Sequence, residues 1–383
     1  MLKVLITGGA GFIGTHLTRR LLSERVEVTI LDNFSPQVHG NTQGLPADID
    51  GHVRLIHGDV RDRSAVERSV AGQDVVVNLA AETGTGQSMY EVERYEQVNI
   101  GGTALLCDIL VNTPNRTVSK LVVASSRAIY GEGKYECARD GVVYPGARSK
   151  ADLDAGRFEP RCPICGEPCR PLPTDELSAQ SPSSFYGLTK QVQEQTALLF
   201  AKALGISGFA LRYQNVYGPG QSLTNPYTGI LAIFSQLARS GAPINVFEDG
   251  EESRDFVYID DVVDATWRCI QPQAQGVEAI NVGSGDRVSV NEVVAHIARY
   301  FESASAITVT GAYRIGDIRH NLASLDKARR ILGYEPGRRF EVGIRSFLNW
   351  AAAGEAEGPE GYLRSLREMR EKGLFHGEGV TAK

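Results

Sequence analysis

The chain has little of what marks several large protein classes. It holds 6 cysteines in 383 residues, four of them between Cys137 and Cys169, so a disulfide scaffold spread through the fold is not expected. Positive charge is not in excess: 40 Lys and Arg stand against 46 Asp and Glu, a net charge of −6. The global field that draws nucleic acid or an anionic membrane is missing, so any phosphate must be held by local devices. No run approaches the roughly 18 apolar residues that cross a bilayer. The start, Met1-Leu2-Lys3-Val4-Leu5-Ile6, has neither the basic region nor the long apolar core of a secretory signal. A soluble, cytoplasmic protein with no nucleic-acid or membrane partner is expected.

What is present reads as an ordinary globular protein, 42% hydrophobic and 22% charged. Val4–Thr7, Glu27–Leu31, Val53–His57, Asp74–Leu79 and Lys120–Ala124 are short runs rich in Val, Ile and Leu, the pattern of buried strands. Helical spacing fills Phe12–Leu22, Arg63–Val70 and a long segment, Val92–Leu110. Repeated strand–helix units predict an α/β fold with a doubly wound parallel sheet. The rhythm breaks from about Gly133 to Ser181, which is rich in Pro, Gly, Arg and Cys and reads as an insertion. A helix over Ser184–Leu204 and a strand over Gly208–Tyr213 resume it. Beyond Pro219 the short strands Ile244–Phe247, Phe256–Ile259 and Ala279–Val282 predict a smaller mixed lobe. The tail from Gly354 is charged, around a helical piece, Tyr362–Lys372.

Thr7-Gly8-Gly9-Ala10-Gly11-Phe12-Ile13-Gly14 joins the first strand to the first helix. Gly8, Gly11 and Gly14 permit a tight turn, close approach of a pyrophosphate and helix-on-strand packing. Phe12 and Ile13 open the helix whose amino terminus faces that phosphate. A plain glycine turn has the same spacing in a chain with 41 glycines, and Asp32 separates the two readings. It ends the second strand 21 residues after Gly11, where a carboxylate accepts from the adenosine ribose hydroxyls and repels a 2′-phosphate. NAD is therefore expected rather than NADP, with Asn33 beside Asp32, and with Asp59 and Val60 near the adenine. These features predict a Rossmann-type domain over 1–132 and 182–218, a Cys-rich insertion over 133–181, a substrate lobe over 219–353 and a tail over 354–383.

Tyr186 and Lys190 lie four apart on the Ser184–Leu204 helix, hence on one face. A nearby ammonium stabilises a phenolate and makes the tyrosine a usable general base. Tyr130 and Lys134 share the spacing, but Gly131 and Gly133 between them disfavour a helix.

With these residues in hand, the chain resembles the extended short-chain dehydrogenase/reductases, specifically the nucleotide-sugar epimerases and dehydratases. The resemblance covers Leu2 to Asn349. It rests on the glycine motif, Leu79-Ala80-Ala81, Ser125-Ser126-Arg127-Ala128-Ile129-Tyr130-Gly131, Tyr186 with Lys190, Arg212-Tyr213-Gln214-Asn215-Val216-Tyr217-Gly218-Pro219, and Arg254-Asp255-Phe256-Val257. It implies that Ser126 holds the reacting sugar oxygen, that Tyr186 is the base, and that Lys190 also binds the nicotinamide ribose. Leu79, Ala80, Ala81, Asn99 and Tyr213 are implied around the cofactor. Asn215, Arg254, Arg314 and Asp317 are implied around a nucleoside-diphosphate sugar, where exposed salt bridges are the plainer account of the arginines. A homodimer through the Val92–Leu110 and Ser184–Leu204 helices is implied too.

The 4,6-dehydratases carry an Asp-Glu pair between the serine and the Tyr-Gly that follows it. Arg127, Ala128 and Ile129 contain no carboxylate, which argues against dehydration. Ala81–Met89 and Gln221–Ile230 look most like the dTDP-L-rhamnose 4-epimerase subgroup. The expected reaction is NAD-dependent epimerisation at C4 of a dTDP-6-deoxyhexose through a transient 4-keto sugar. A UDP-glucose or UDP-glucuronate 4-epimerase is the alternative, with another nucleotide-sugar oxidoreductase, an idle NAD-binding sensor or a zinc-ribbon interaction module further off. In the insertion, Cys162-Pro163-Ile164-Cys165-Gly166 has the knuckle form of C-x-x-C, with Cys169 after it and Cys137 upstream. Cys137, Cys162, Cys165 and Cys169 are expected to hold a structural zinc, with Asp140 the fourth ligand if Cys169 is not used, against the plainer reading of free thiols. Cys107 and Cys269, in apolar helical stretches, are expected in the core.

Overall fold

Seven strands form the centre of the molecule in a computed structural model that describes residues 1–223, 225, 227, 229–354 and 358–377. Thr224, Pro226 and Thr228 of the Gln221–Ile230 stretch, and 355–357 and 378–383 of the tail, lie outside the described residues. The strands are β1 (Lys3–Thr7), β2 (Glu27–Asp32), β3 (Arg54–His57), β4 (Val75–Asn78), β5 (Lys120–Ser126), β6 (Ser207–Tyr213) and β7 (Val277–Val282). Their order across the sheet is β7-β6-β5-β4-β1-β2-β3, and every pairing is parallel. This is the Rossmann-type doubly wound sheet that the strand–helix rhythm predicts.

Side chains alternate along each strand and build two cores. Val4, Ile6, Val28, Ile30, Val75, Val77 and Val122 face Leu17 and Leu21 of α1 (Phe12–Ser23) and Val262 and Trp267 of a later helix. Leu5, Leu31, Val76, Leu121 and Val123 face the other layer. There they meet Val66 of α2 (Arg63–Val70), Leu106 and Leu110 of α3 (Gly102–Asn112) and Ala197 of α4 (Phe185–Ala203). Each such side chain contributes about 1.5–3 kcal/mol on burial, so both faces of the sheet are committed to helices.

Two expectations need correction. Ala279–Val282 does not belong to a smaller lobe: β7 pairs with β6 from Val277↔Gly208 to Val282↔Tyr213, because Ile280 and Val282 are fully buried in the first core. The Val92–Leu110 segment is not one regular helix. Val92–Tyr95 passes into a π-helical turn, Glu96–Gly101, before α3 begins. Such turns cluster at functional sites, and this one carries the buried Asn99.

The remaining chain packs beyond the carboxyl ends of the strands. Asn215–Tyr217 pairs with Phe256–Tyr258, Ile244–Val246 pairs with Ile307–Val309, and Tyr217, Phe256, Tyr258 and Phe340 cluster with ring centroids 5.1–6.0 Å apart. The helix α5 (Glu360–Glu371) folds back, and Phe375–His376 pairs with Tyr313–Arg314. The insertion forms a small antiparallel sheet, with Tyr135–Cys137 between Gly141–Val143 and Arg170–Pro171. Cys107 and Cys269 are fully buried, as their apolar settings predict. No helix among the described residues is long and apolar enough to cross a membrane.

Candidate active site

The glycine turn is shaped for a ligand rather than for a side chain. Gly8 adopts φ +68°, and a Cβ there would lie 2.8 Å from the Ala80 amide nitrogen. A Cβ on Gly14 would lie 2.6 Å from Gly9 Cα, so α1 can start this close to β1 only with glycine. Gly11 caps α1 without a side chain, and no acceptor among the described residues meets the amides of Phe12, Ile13 and Gly14. These donors point into a cavity of about 350 Å³. Besides that turn it is lined by Asp32, Asn33, Asp59, Val60, Leu79, Ala80 and Ala81. An elongated anion-bearing ligand such as a dinucleotide fits this cradle.

Asp32 closes the far end. Its carboxylate accepts from the amides of Ala10 (3.0 Å) and Phe34 (2.9 Å) and stands 3.5 Å from His39 Nε2. Asp59 is more occupied than expected. Arg61 and Asn33 both donate to it, and the Arg61 hydrogen bond, against burial, holds its pKa at about 2. Glu82, Thr83, Gly220, Gln221 and Ser222 also line the cavity. They come from irregular segments, where sequence spacing gives no cue.

Next to this cleft, β5 and α4 bring the reactive groups together. Ser126 ends β5, and its Oγ accepts from the Ala128 amide (3.1 Å), setting the turn that follows. Ser184 caps α4 by accepting from the Gly187 amide (3.2 Å), so Tyr186 and Lys190 occupy its first two turns. Gly187 has no room for a Cβ, which would meet the Ala128 carbonyl oxygen at 2.5 Å. Ser88 Oγ accepts from the Tyr186 amide (2.9 Å), and Tyr95 meets the Tyr186 ring edge-on at 6.5 Å. Burial pushes the Tyr186 phenol above its ordinary pKa, opposed by a hydrogen bond with Ser126 and the charge of Arg127.

The role expected of Lys190 toward the phenol needs correction. Its Nζ turns to the strand, donating to the Ala124 carbonyl (2.9 Å) and Gln193 Oε1 (2.8 Å), and burial pushes its pKa down to about 7. Arg127, which sequence spacing did not single out, is the cation whose charge opposes the rise of the Tyr186 pKa. The second Tyr/Lys pair is divided between other partners: Tyr130 OH donates to Asn281 Oδ1 (2.8 Å), and Lys134 pairs with Asp175 (2.6 Å).

Three further positions differ from expectation. Asn99 does not line the cleft; its Oδ1 accepts from the Glu82 amide (2.8 Å) and its Nδ2 donates to Thr189 (2.9 Å), pinning the Glu82 loop to α4. Tyr213 does not line it either, because its hydroxyl is tied to Thr266 at 2.7 Å. In the insertion, the ligand atoms of Cys137, Asp140, Cys162 and Cys165 lie within 4.8 Å of one another. Cys169 is not among those four but lies beside them, its thiol near those of Cys162 and Cys137 and its Sγ 3.7 Å from the Glu167 carbonyl.

The residues expected around a diphosphate do converge. Asp317 accepts from Arg254 Nη2 (3.2 Å) and Arg314 Nη2 (2.9 Å). Burial would raise its pKa, but Arg314, Arg254, Arg127 and Arg148 outweigh it and hold the carboxyl well below the usual range. Arg314 Nε and Asn215 Oδ1 are buried with no partner among the described residues. Arginines clustered around a single carboxylate have the donors and the charge that suit a polar, anionic ligand. Arg254 is the exception in part, since its Nη groups also serve the carbonyls of Ser253, Ile318 and Arg319.

This geometry coincides with a known family. The NAD dependent epimerase/dehydratase family matches residues 4–147 and 162–283. The chain belongs to it. The dTDP-L-rhamnose 4-epimerase of Burkholderia thailandensis is 38% identical over 352 residues, 91% of this chain and 95% of the relative. Among solved structures, the UDP-glucose 4-epimerase of Thermotoga maritima with UDP-glucose has a TM-score of 0.73 at 27% identity, covering 91% of this chain and 98% of that one. The Thermus thermophilus UDP-glucose 4-epimerase complex with NAD has a TM-score of 0.70 at 26% identity, covering 92% and 100%. Residues 148–161, inside the insertion, fall outside the family match.

Because Gly187 lets this epimerase-family site close, Gly187→Ala should force α4 away from the Ser126 turn and cost about 1–3 kcal/mol. Urea unfolding checks this, and an unchanged midpoint would show that the turn yields instead.

Proposed function

We propose that the chain is an NAD-dependent nucleotide-sugar 4-epimerase whose substrate is a dTDP-6-deoxyhexose such as dTDP-L-rhamnose. The observation that carries the reading is the placement of Ser126, Tyr186 and Lys190 between a dinucleotide cleft, which Ala124 lines, and the cluster of Arg127, Arg254 and Arg314 around Asp317. Bound NAD⁺ supplies the hydride acceptor, and the reduced form the donor. Tyr186 takes the proton of the C4 hydroxyl and later returns it, while Ser126 holds the C4 oxygen. Burial disfavours the phenolate, so Arg127 and Ser126 keep the base usable by stabilising its charged form. Lys190, fixed on the Ala124 carbonyl beside the cleft, orients the cofactor ribose. Arg254, Arg314 and Asp317 hold the diphosphate end while the 4-keto sugar turns its other face, and Asn215 accepts from a ligand hydroxyl. The turn after Ser126 offers no carboxylate for water elimination, which sets this chemistry apart from dehydration.

The 38% identical relative favours the dTDP sugar. A UDP-sugar is the second reading, favoured by the UDP-glucose 4-epimerase structures. The reading includes the cytoplasm as location, a structural zinc in the insertion, and a homodimer. Apolar side chains left exposed on the Val92–Asn112 segment and α4, namely Val92, Val111, Leu188 and Leu199, support the dimer.

Product analysis by NMR across dTDP-, UDP- and GDP-sugars tests the substrate; interconversion of C4 epimers without added NADH is expected. Tyr186→Phe should lose roughly 10²–10⁴-fold in turnover with NAD still bound, whereas undiminished turnover removes Tyr186 from the chemistry. Asp32→Ala should narrow the preference of stripped enzyme for NAD over NADP, and equal use of both by the unaltered protein would overturn the role of Asp32. Light scattering at micromolar concentration should give the mass of a dimer; a monomer alone contradicts the interface.

A further inference from the structure

The insertion has almost no apolar core of its own. Its buried cluster is Tyr135, Cys137, Val143, Cys162 and Cys169, with Cys165 partly buried against it, so thiols are most of what is inside. All six cysteines of the chain are free. Tetrahedral zinc, with bonds of about 2.3 Å to sulfur and 2.0–2.2 Å to oxygen, sets its ligand atoms about 3.5–3.8 Å apart. Here the Sγ atoms of Cys137 and Cys165 are 3.5 Å apart, and Asp140 Oδ2 is 3.5 Å from Cys137 Sγ and 3.2 Å from Cys162 Sγ. The Ile164 amide points at Cys162 Sγ (3.4 Å), and Gly166, at φ +78°, bends the knuckle so that its amide returns to the Cys162 carbonyl (2.9 Å). Backbone amides aimed at sulfur stabilise a thiolate rather than a thiol.

The knuckle also sets what lies just before it. Glu159, three residues ahead of Cys162, accepts from Arg319 Nε (2.7 Å) and meets His320 Nε2 (3.2 Å). Arg148 donates to the Phe158 carbonyl (3.2 Å), to Glu132 (3.1 Å) and Glu248 (2.8 Å), and to the carbonyl of Asp317 (3.0 Å). The insertion therefore grips Asp317–His320, the segment whose Asp317 side chain joins Arg254 and Arg314.

We infer that Cys137, Cys162, Cys165 and Asp140 hold one zinc ion, with Cys169 outside the ligand set, and that this metal positions the Asp317–His320 segment for the nucleotide-sugar diphosphate. The inference rests on the epimerase reading for its substrate and on residues of this chain for the metal. Three thiolates and one carboxylate suit zinc over calcium or magnesium, which prefer oxygen. Metal binding supplies the ordering energy that the small core lacks. Arg148 and Glu159 are positioning residues: they act on substrate through Asp317 and Arg319.

Protein purified under reducing conditions should carry one zinc per chain by elemental analysis. Asp140→Ala and Cys165→Ser should lower that content, while Cys169→Ser keeps it. A strong chelator should speed proteolysis between Cys137 and Cys169 and leave bound NAD in place. In the chelated enzyme and in Arg148→Met, KM for the nucleotide sugar should rise on the order of tenfold with kcat changed less. Absence of zinc overturns the site whatever the substrate proves to be. Loss of zinc in Cys169→Ser with retention in Asp140→Ala overturns the ligand set. Zinc present, and removed without change in KM, overturns the positioning role. Failure of the epimerase reading is seen separately, as no turnover of any nucleotide sugar by zinc-loaded protein.

Discussion

The docking of α4 against β5 is the contact on which the site depends, and a buried ion pair fixes it. Glu194 on α4 accepts from Arg212 on β6 (2.6 Å) and from Ser125 on β5 (2.6 Å), with both charged side chains about 3% exposed. Arg212 also donates to Tyr130 (2.6 Å), in the turn after Ser126. Removing one partner of such a pair leaves an uncompensated buried charge, at a cost of about 3–5 kcal/mol, so register between helix and strand is tightly specified. Gly187 on the Ala128 carbonyl and Lys190 on the Ala124 carbonyl extend the same seam toward the cleft. The distance from Ser126 to Tyr186 is therefore set by contacts on both sides of it rather than by the loop that joins the two elements.

Much of this was legible in the sequence, for physical reasons that differ by element. Strands buried on both faces read as Val/Ile/Leu runs, and α2 was recovered at Arg63–Val70 because its amphipathic spacing is clean. The seventh strand was misplaced because Val277–Val282 reads as any short edge strand; only its pairing with β6 reveals its sheet. The π-helical turn at Glu96–Gly101 keeps near-helical periodicity and leaves no local trace. At the site, the glycine motif, Asp32 and the Tyr186/Lys190 pair were legible from their spacing along strand ends and one helix face, and Ser126 from the family resemblance. Arg127 was not, since an arginine after a strand looks solvent-facing until the fold brings Arg254, Asp317 and Tyr186 around it. Asn99 and Tyr213 were assigned to the cofactor by position alone, whereas hydrogen bonds to Glu82 and Thr266 commit their side chains elsewhere.

Electrostatics give the site its polarity without a basic chain. The protein carries a net charge of −6, yet Arg127, Arg254 and Arg314 face one carboxylate, Asp317, at the mouth of the sheet. Asp317 offsets the repulsion among the arginines and is itself held ionised by them. On the proposed reading, an incoming diphosphate adds the negative charge the cluster lacks and meets donors already oriented, so less ordering remains to be done on binding.

The insertion enters this design at a place where it can be added without disturbing the chemistry. It leaves after the Ser126 turn at Gly131, φ +62°, where a Cβ would collide with the Ser181 carbonyl, so its two ends are pinched together. Whatever its length, the path from Ser126 to Tyr186 passes through that neck and is unchanged. What the insertion alters is the opposite wall. Arg148 and Glu159 reach Glu132, Asp317, Arg319 and His320, all of them beyond the neck and none on α4. Both lie in residues 148–161, so the contacts to Asp317, Arg319 and His320 come from the part of the chain that the family match does not cover. A change in this segment should therefore act on how the nucleotide sugar is held before it acts on how the proton moves.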